Sequence, residues 1–340
     1  MRTELTNIAE VARAAGVSTA TVSRFLAGRT IRSEDAVRDA IARLGYAPSA
    51  VARSLKSGRH QCIGVIVPDI SNPFFAALVK GIETEARSND LQVILGNSDE
   101  DERQEYQLLA DLTRRTDGII MAPLAEDERI PDPLLATGFP IVFVDRDTKA
   151  TGGFDRVMVD NATGVRLAID HLAGLGHARI AAISGPLHST PGRARHEAFL
   201  EAMAAHGLPV EAAHLEVSDF RESGGHDCMT RLWHARPRPS AVFVANNLMT
   251  IGALKALRAL SVRMPDDISV LGFDDLSLAP LLDPPLTVVN RPEVEQGAEA
   301  ARLLVRRLAG DDDGPPRHTV LPVELLVRSS TGPCAPTERS

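Results

Sequence analysis

What this chain lacks narrows its identity before any motif is read. It has only three cysteines, Cys62, Cys228 and Cys334, widely spaced and in no CxxC pairing. That excludes a disulfide framework or a cysteine-rich zinc module and suits a reducing compartment. No run approaches the roughly 18 uninterrupted apolar residues of a membrane span. The opening stretch, MRTELTNIAEVARAAG, has no apolar core and carries acids, so a secretory signal is not expected. There is no P-loop, and the GxG at Gly174–Gly176 closes a helical pattern where a dinucleotide site would open one. Ser184-Gly185 lacks the nucleophile-elbow pattern, and the ten histidines show no HxxxH or HExxH spacing. No cofactor, metal or enzymatic role is therefore expected.

Charge is abundant but segregated. Residues 1–60 hold ten Arg/Lys against five Asp/Glu, while the remainder holds 27 against 40. A basic head on an acidic body suggests that the head meets a polyanion and the body does not. A merely well-solvated surface would give the same balance, so pattern has to decide. A length of 340 residues suits two or three domains.

The head reads as three short helices. Asn7 with Glu10 forms a capping-box signature ahead of Ile8, Val11, Ala12 and Ala15 on one face. Gly16 interrupts; Ser18 caps a second helix from Thr19 to Leu26 that buries Val22, Phe25 and Leu26. Ser33 caps a third, burying Val37, Ala40, Ile41 and Leu44, and Gly45 stops it. Two helices joined by a tight glycine turn form a helix-turn-helix unit, whose second helix enters the DNA major groove. Thr19, Ala20 and Arg24 would then face base edges, with Thr21 and Ser23 on phosphates. A three-helix bundle with no nucleic acid partner shares the bare pattern. Pro48 to Gly58 follows, about two helical turns with a starting proline, small residues within and a glycine stop. Leu55, its large apolar residue, has no evident core to join.

These motifs (AEVARAAGVSTATVSRFLAG, AIARLGY and PSAVARSLKSG, in that order) resemble the headpiece and hinge of the lactose/galactose repressor family. The resemblance implies that two hinges pair in the minor groove, where Leu55 wedges between base pairs and kinks the DNA. Arg53 and Leu55 join the expected DNA contacts. Gly28 to Ser33 is about three residues shorter than the family's connection there, and Ala27 stands where Asn is common.

From Cys62 onward short β-branched runs alternate with amphipathic helices, which predicts parallel sheets covered on both faces. Strands are expected at Ile63–Val67, Gln92–Leu95, Gly118–Met121, Ile141–Val144, Arg179–Ser184, His214–Val217, Ala241–Ala245, Ile268–Phe273 and Thr287–Val289. Two such lobes leave a ligand cleft at the carboxyl ends of their strands. Just past those ends stand Asp69, Asn72, Phe74, Phe75, Asp145, Arg146, Arg195, Phe220, Asn246, Asp274 and Asn290. Planar polar groups beside aromatic faces suit a neutral polyhydroxylated ligand. An Asp145–Arg146 local ion pair, or phenylalanines that merely pack, would explain some of them without a ligand.

The body resembles the same family's effector domain through PDISNPFFAALVKGIE, VDNATGVRLAIDHLAGLGHARIA, VANNLMTIGALKAL and ISVLGFDD. That domain is itself similar to periplasmic sugar-binding proteins. Asn247 stands where the family has Asp, and Ala198 replaces a glycine. The implied fold is an all-α helix-turn-helix headpiece (1–47), a hinge (48–60) and an α/β periplasmic-binding-protein-like domain of two parallel-sheet lobes (61–340). The implied protein is a cytoplasmic, nucleoid-associated homodimer with no membrane partner. It would bind operator DNA and release it on binding a sugar effector, a pentose first. Two other readings remain open on the sequence: a sugar-processing α/β enzyme with a DNA-binding head, and a regulator whose ligand strengthens DNA binding.

Overall fold

The computed structural model describes residues 6–26, 28–46, 60–124, 137–148, 153–310 and 314–334. The chain divides into two compact units, Met1–Gln61 and Cys62–Ser340. Most of the expected hinge, and with it Arg53 and Leu55, lies outside the described residues, as does Ala27.

The first unit holds α1 (Ile8–Ala14), α2 (Thr19–Leu26) and α3 (Glu34–Leu44). Asn7 caps α1 by accepting from the amides of Ala9 and Glu10, and Glu10 returns a carboxylate to the Asn7 amide. Ser18 Oγ accepts from the Thr21 amide at the start of α2. Ser33 stands at the N-cap of α3 but makes no side-chain capping bond; Glu34 and Asp35 in the first turn complement the helix dipole there instead. Gly45 ends α3 in the left-handed region at φ 58°, which costs glycine nothing sterically. Val11, Ala12, Val22, Val37 and Ala40 form a small core, with Phe25, Ile41 and Leu44 packed half-buried around it.

The second unit is built of two six-stranded sheets. The first has the order β11-β5-β4-β3-β1-β2: β1 (Cys62–Val67), β2 (Gln92–Asn97), β3 (Gly118–Met121), β4 (Ile141–Val144), β5 (Asp155–Val159) and β11 (His318–Leu321). The second has the order β12-β10-β9-β8-β6-β7: β6 (Ile180–Ser184), β7 (Leu215–Val217), β8 (Ala241–Val244), β9 (Ser269–Phe273), β10 (Thr287–Asn290) and β12 (Glu324–Leu326). Neighbouring strands are parallel except β10 and β12. The central strands are apolar and buried end to end, as parallel strands sandwiched between helices must be.

Helices α4 (Pro73–Ser88), α5 (Glu102–Leu112) and α10 (Glu293–Ala309) serve the first sheet; α6 (Asn161–Gly174), α7 (Thr190–Ala205), α8 (Glu222–His234) and α9 (Asn247–Ala259) serve the second. The chain crosses between lobes three times: after β5, after β10 and between β11 and β12. Strand β5, helix α10 and the strands β11 and β12 were not anticipated from the sequence. Helix α10 follows the crossing after β10 and packs on α4 and on β3, β4 and β5 of the first lobe.

Both lobes contain a helix crossing close enough to require glycine. A Cβ on Gly81 of α4 would meet the Val294 carbonyl oxygen at 2.0 Å, and one on Gly297 of α10 would meet that of Leu78 at 2.0 Å. Across α8 and α9, Gly225 faces the Met249 carbonyl at 2.2 Å and Gly252 that of Glu222 at 1.9 Å. The obstacles are backbone atoms, so no rotamer change relieves them. Gly252→Ala should force α9 off α8 and destabilise the domain by about 1–3 kcal/mol. Chemical denaturation checks this, and an unchanged midpoint would mean the helices separate without cost.

Candidate functional site

The strands of both sheets point their carboxyl ends at one cleft, which is partly open to solvent. Ten of the eleven residues expected there line it: Asp69, Asn72, Phe74, Phe75, Asp145, Arg146, Arg195, Phe220, Asn246 and Asp274. Asn290 does not. It is the last residue of β10, and its amide donates to Glu324 of the edge strand β12 at 3.1 Å. The next residue, Arg291, enters the cleft in its place. Glu100, Asp219 and Arg221 also line the cleft and were not foreseen.

Three buried arginines organise the site. Arg291, at the lobe crossing after β10, hydrogen-bonds Asp145 of the first lobe through Nη1. Its Nη2 donates to Asp274 of the second lobe at 3.2 Å, and its Nε lies 2.6 Å from the other oxygen of that carboxylate. Its guanidinium carbon stands 3.4 Å from the centre of the Phe74 ring. Burial would weaken this cation, but Asp274 and Asp145 outweigh burial and hold its pKa above the ordinary guanidinium value.

Arg146 does not pair with its neighbour Asp145. Both its Nη atoms bind Glu100, at 3.0 and 2.7 Å, in a fork-to-fork pair. Burial opposes this charge too, and Glu100 and Asp145 more than offset it. Its guanidinium lies 5.6 Å from the Phe220 ring and 6.0 Å from Phe75.

Arg195 sits in the second turn of α7, which Ser189 caps. Its Nε donates to Asn161 Oδ1 at 2.7 Å, its Nη1 to the Ala245 carbonyl at 2.6 Å, and it stacks 3.6 Å from the centre of the Phe273 ring. Among the described residues no carboxylate stands within ion-pair distance of it. Burial, helped by the repulsion of Arg291 and Arg146, pushes its pKa down to about 10 despite Asp274 and Asp145. Among the described residues neither its Nη2 nor Arg146 Nε has a hydrogen-bond partner, and Arg291 Nε and Asp274 Oδ1 have only their ion-pair contact with each other.

The backbone around these side chains is strained. Glu100, Asp145, Phe220 and Asp274 all have left-handed φ, at 56°, 65°, 63° and 72°. Aspartate tolerates this region, but Phe and Glu do so at a cost that usually marks a functional constraint.

The remaining amides hold the lobes. Asn72 Oδ1 caps α4 by accepting from the Phe74 amide at 3.0 Å, and also accepts from Asn247 Nδ2 of the opposite lobe at 2.8 Å. Asn246 caps α9 through the Met249 amide, and its Nδ2 donates to the Phe220 carbonyl at 3.1 Å. Phe74 and Phe75 are both buried and meet edge to face, 4.8 Å apart. Asp69 is half-buried and spends one oxygen on Ser71.

In the head, Thr19, Ala20 and Arg24 are exposed along α2, whereas Val22 points into the core. Thr21 hydrogen-bonds Ser18 through its hydroxyl and amide, and Ser23 is half-buried on the same helix. Arg24 Nε turns back onto the Ala20 carbonyl at 3.4 Å, a weak bond that leaves the guanidinium free to extend.

A three-helix head presenting one helix face and a two-lobed α/β body with a polar interlobe cleft define a ligand-responsive bacterial regulator. Comparison with known proteins agrees. Residues 7–49 match the family described as bacterial regulatory proteins, lacI family, and residues 169–331 match the periplasmic binding protein-like domain. The ribose operon repressor of Escherichia coli (strain K12) is 36% identical over 94% of this chain and 98% of its own length. The transcriptional regulator CelR, solved with cellobiose, superposes with a TM-score of 0.74 at 32% identity, covering 96% of this chain and 99% of that one. The Lac repressor dimer, solved with operator and the anti-inducer ONPF, gives a TM-score of 0.85 at 25% identity, covering 97% and 100%. The chain belongs to the lacI family of bacterial regulatory proteins.

The Asn247–Asn72 bond gives one test of how the lobes meet. Asn247→Asp, the family's usual residue there, would bring an acceptor against Asn72 Oδ1. Asn72 must then surrender its cap on Phe74 or leave two acceptors facing each other, at about 1–3 kcal/mol. A lowered melting temperature with an intact secondary-structure spectrum is expected; an unchanged melting temperature would show that the bond contributes nothing.

Proposed function

We propose that this protein is a transcriptional repressor that binds operator DNA as a homodimer and is released from it by a sugar-like effector in the interlobe cleft. The observation that carries this is the cleft itself: buried guanidinium groups with unspent donors, stacked on phenylalanine rings, where two lobes meet. Such a site suits a small polar molecule held between the lobes. The exposed Thr19, Ala20 and Arg24 supply the helix face that reads bases, with Thr21 and Ser23 toward the phosphates. Arg53 and Leu55 would add hinge contacts, by resemblance to the family. The relatives named above, a ribose operon repressor, a transcriptional regulator solved with cellobiose and a repressor dimer solved with its operator, support the same reading.

An enzyme in this cleft would need a carboxylate free to move protons. Of the strand-end carboxylates, Asp145 and Asp274 are both committed to Arg291 and only Asp69 keeps an oxygen unspent, so no acid/base pair stands free, which argues for a binding site over a catalytic one. The effector must favour the state that binds DNA poorly, and operator and effector then weaken each other by the same factor.

Two substitutions in the full-length protein separate the functions. Arg24→Ala should cost about 1–3 kcal/mol on the cognate operator and less on random DNA. Equal losses on both, measured by titration of labelled duplexes, would reduce Arg24 to a phosphate contact. Arg195→Ala should abolish effector-induced thermal stabilisation, about 2.7 kcal/mol at 100 times the dissociation constant, while operator binding persists. Stabilisation that survives in this variant would place the effector elsewhere.

A further inference from the structure

Resting on the effector cleft proposed above, the seating of one aromatic ring carries a conclusion about ligand size. Strands β6 and β7 are parallel neighbours that end in register at Ser184 and Val217. Gly185 is the first residue past β6, and Phe220 stands three past β7. A Cβ on Gly185 would lie 2.1 Å from Cε1 of the Phe220 ring, 2.2 Å from Cζ and 2.8 Å from Cδ1. The ring therefore rests on the Gly185 backbone, in space that any side chain there would fill. Gly185 does not have a left-handed φ, so it is the room it leaves, not its conformation, that matters. Phe220 lines the cleft and Gly185 does not, so the ring stands between that glycine and the ligand space.

The backbone holds the ring there against its own preference. Phe220 has a left-handed φ of 63°, costly for a bulky residue, and the Asn246 amide fixes its carbonyl at 3.1 Å. The first lobe faces it with the Arg146 guanidinium, which Glu100 holds and which lies 5.6 Å from the ring. The next residue, Arg221, donates across the lobes to the Asp99 carbonyl at 3.2 Å. Asp99 and Glu100 are left-handed as well, at φ 53° and 56°. Two strained turns thus meet beside Phe220 and close this end of the cleft.

We propose that Phe220, seated on Gly185, is the end wall that limits the effector to a single sugar ring, and that Gly185 sets the depth of that wall. A second ring would have to take the space of Phe220 or part Arg221 from Asp99. Gly185 is a positioning residue, acting on the ligand only through the ring. The obstacle to a Cβ here is the far end of a side chain, unlike the backbone atoms at the helix crossings. Alanine would move the ring into the cleft and leave the strands in place.

The test uses the full-length protein with D-ribose, D-glucose and D-galactose, and with the disaccharides cellobiose and maltose. Affinity is read from thermal stabilisation across a concentration series, and ring position from crystal structures. One monosaccharide should bind the wild type about tenfold or more tightly than either disaccharide. Gly185→Ala should weaken that monosaccharide by about tenfold or more, the effect of one methylene too many in a fitted pocket. Its ligand-free melting temperature and operator affinity should stay as in the wild type. Phe220→Ala should move the preference toward the disaccharides. A merely structural role for Gly185 would lower the ligand-free melting temperature and leave the preference between sugars alone. Disaccharides that bind the wild type as tightly as monosaccharides would overturn the size limit while leaving the sugar-responsive repressor intact. A Phe220 ring unmoved in the Gly185→Ala crystal structure would overturn the part assigned to Gly185. No response of the wild type to any of these sugars would count against both the size limit and the sugar-binding cleft. Should Gly185→Ala fail to fold, the wild type and Phe220→Ala still decide the end wall.

Discussion

The second unit depends on one guanidinium. Arg291 bridges Asp145 of one lobe and Asp274 of the other at the point where the chain passes from one to the other. Each of these charged groups, almost wholly removed from water, would be prohibitive singly; Arg291 meets both carboxylates in the geometry that guanidinium and carboxylate prefer, and the one negative charge left over is offset by the nearby Arg195 guanidinium. The Phe74 ring under the guanidinium excludes water from one face and so strengthens the pairing. Loss of Arg291 would leave two buried carboxylates without their shared cation, which makes this cluster far more sensitive to that substitution than the exposed ion pairs on the helices are to theirs.

The rest of the cleft is held to that cluster by packing that tolerates little adjustment. Helix α9 carries Asn246 and Asn247 into the cleft from a crossing where Gly252 lies against the Glu222 carbonyl. Helix α4 carries Asn72 and Phe74 from a crossing set by Gly81 and Gly297. Close backbone approach fixes where each helix begins, and each helix begins at the cleft. Site and scaffold are therefore coupled through helix N-termini, whose capping amides face the cleft. Strain accumulates in the same place, at the left-handed φ of Glu100, Asp145, Phe220 and Asp274. A site of paired charges and spent caps can hold such residues where an ordinary loop would relax.

Much of this was legible because parallel strands announce themselves as unbroken apolar runs. Asp145 and Asp274 were found by taking the first residue past a strand, and both strand ends were placed correctly at Val144 and Phe273. The same rule failed at β10 by a single residue. Reading the strand as Thr287–Val289 nominated Asn290, but the strand includes Asn290, and the first residue past it is Arg291. Side chains alternate along extended backbone, so an error of one position exchanges a residue facing β12 for one facing the cleft. Glu100 left no comparable signal. It lies three residues beyond β2 in irregular backbone, and its left-handed φ favours glycine on sequence grounds. Helix α10 had an apolar face in Ala300, Ala301, Leu303 and Leu304, yet its return to the first lobe to pack on α4 follows from the crossover, which is a long-range property.

The arrangement also constrains how a ligand could alter the balance of states. An effector changes an equilibrium only by the difference in its free energy of binding to the two states. A hundredfold loss of operator affinity requires about 2.7 kcal/mol of such difference, the energy of one or two charge-assisted hydrogen bonds made in one state only. The lobes already meet through Asn247 and Asn72, Arg221 and Asp99, Thr190 and Asp147, and the Arg291 bridge. A ligand that merely drew the lobes together would duplicate contacts the protein makes for itself. The differential energy has to come from contacts that the protein does not already make. Among the described residues, the cleft atoms without a hydrogen-bond partner include Arg146 Nε of one lobe and Arg195 Nη2 of the other. A ligand contact to such atoms converts binding into a change of state only to the extent that it is made in one state and not in the other.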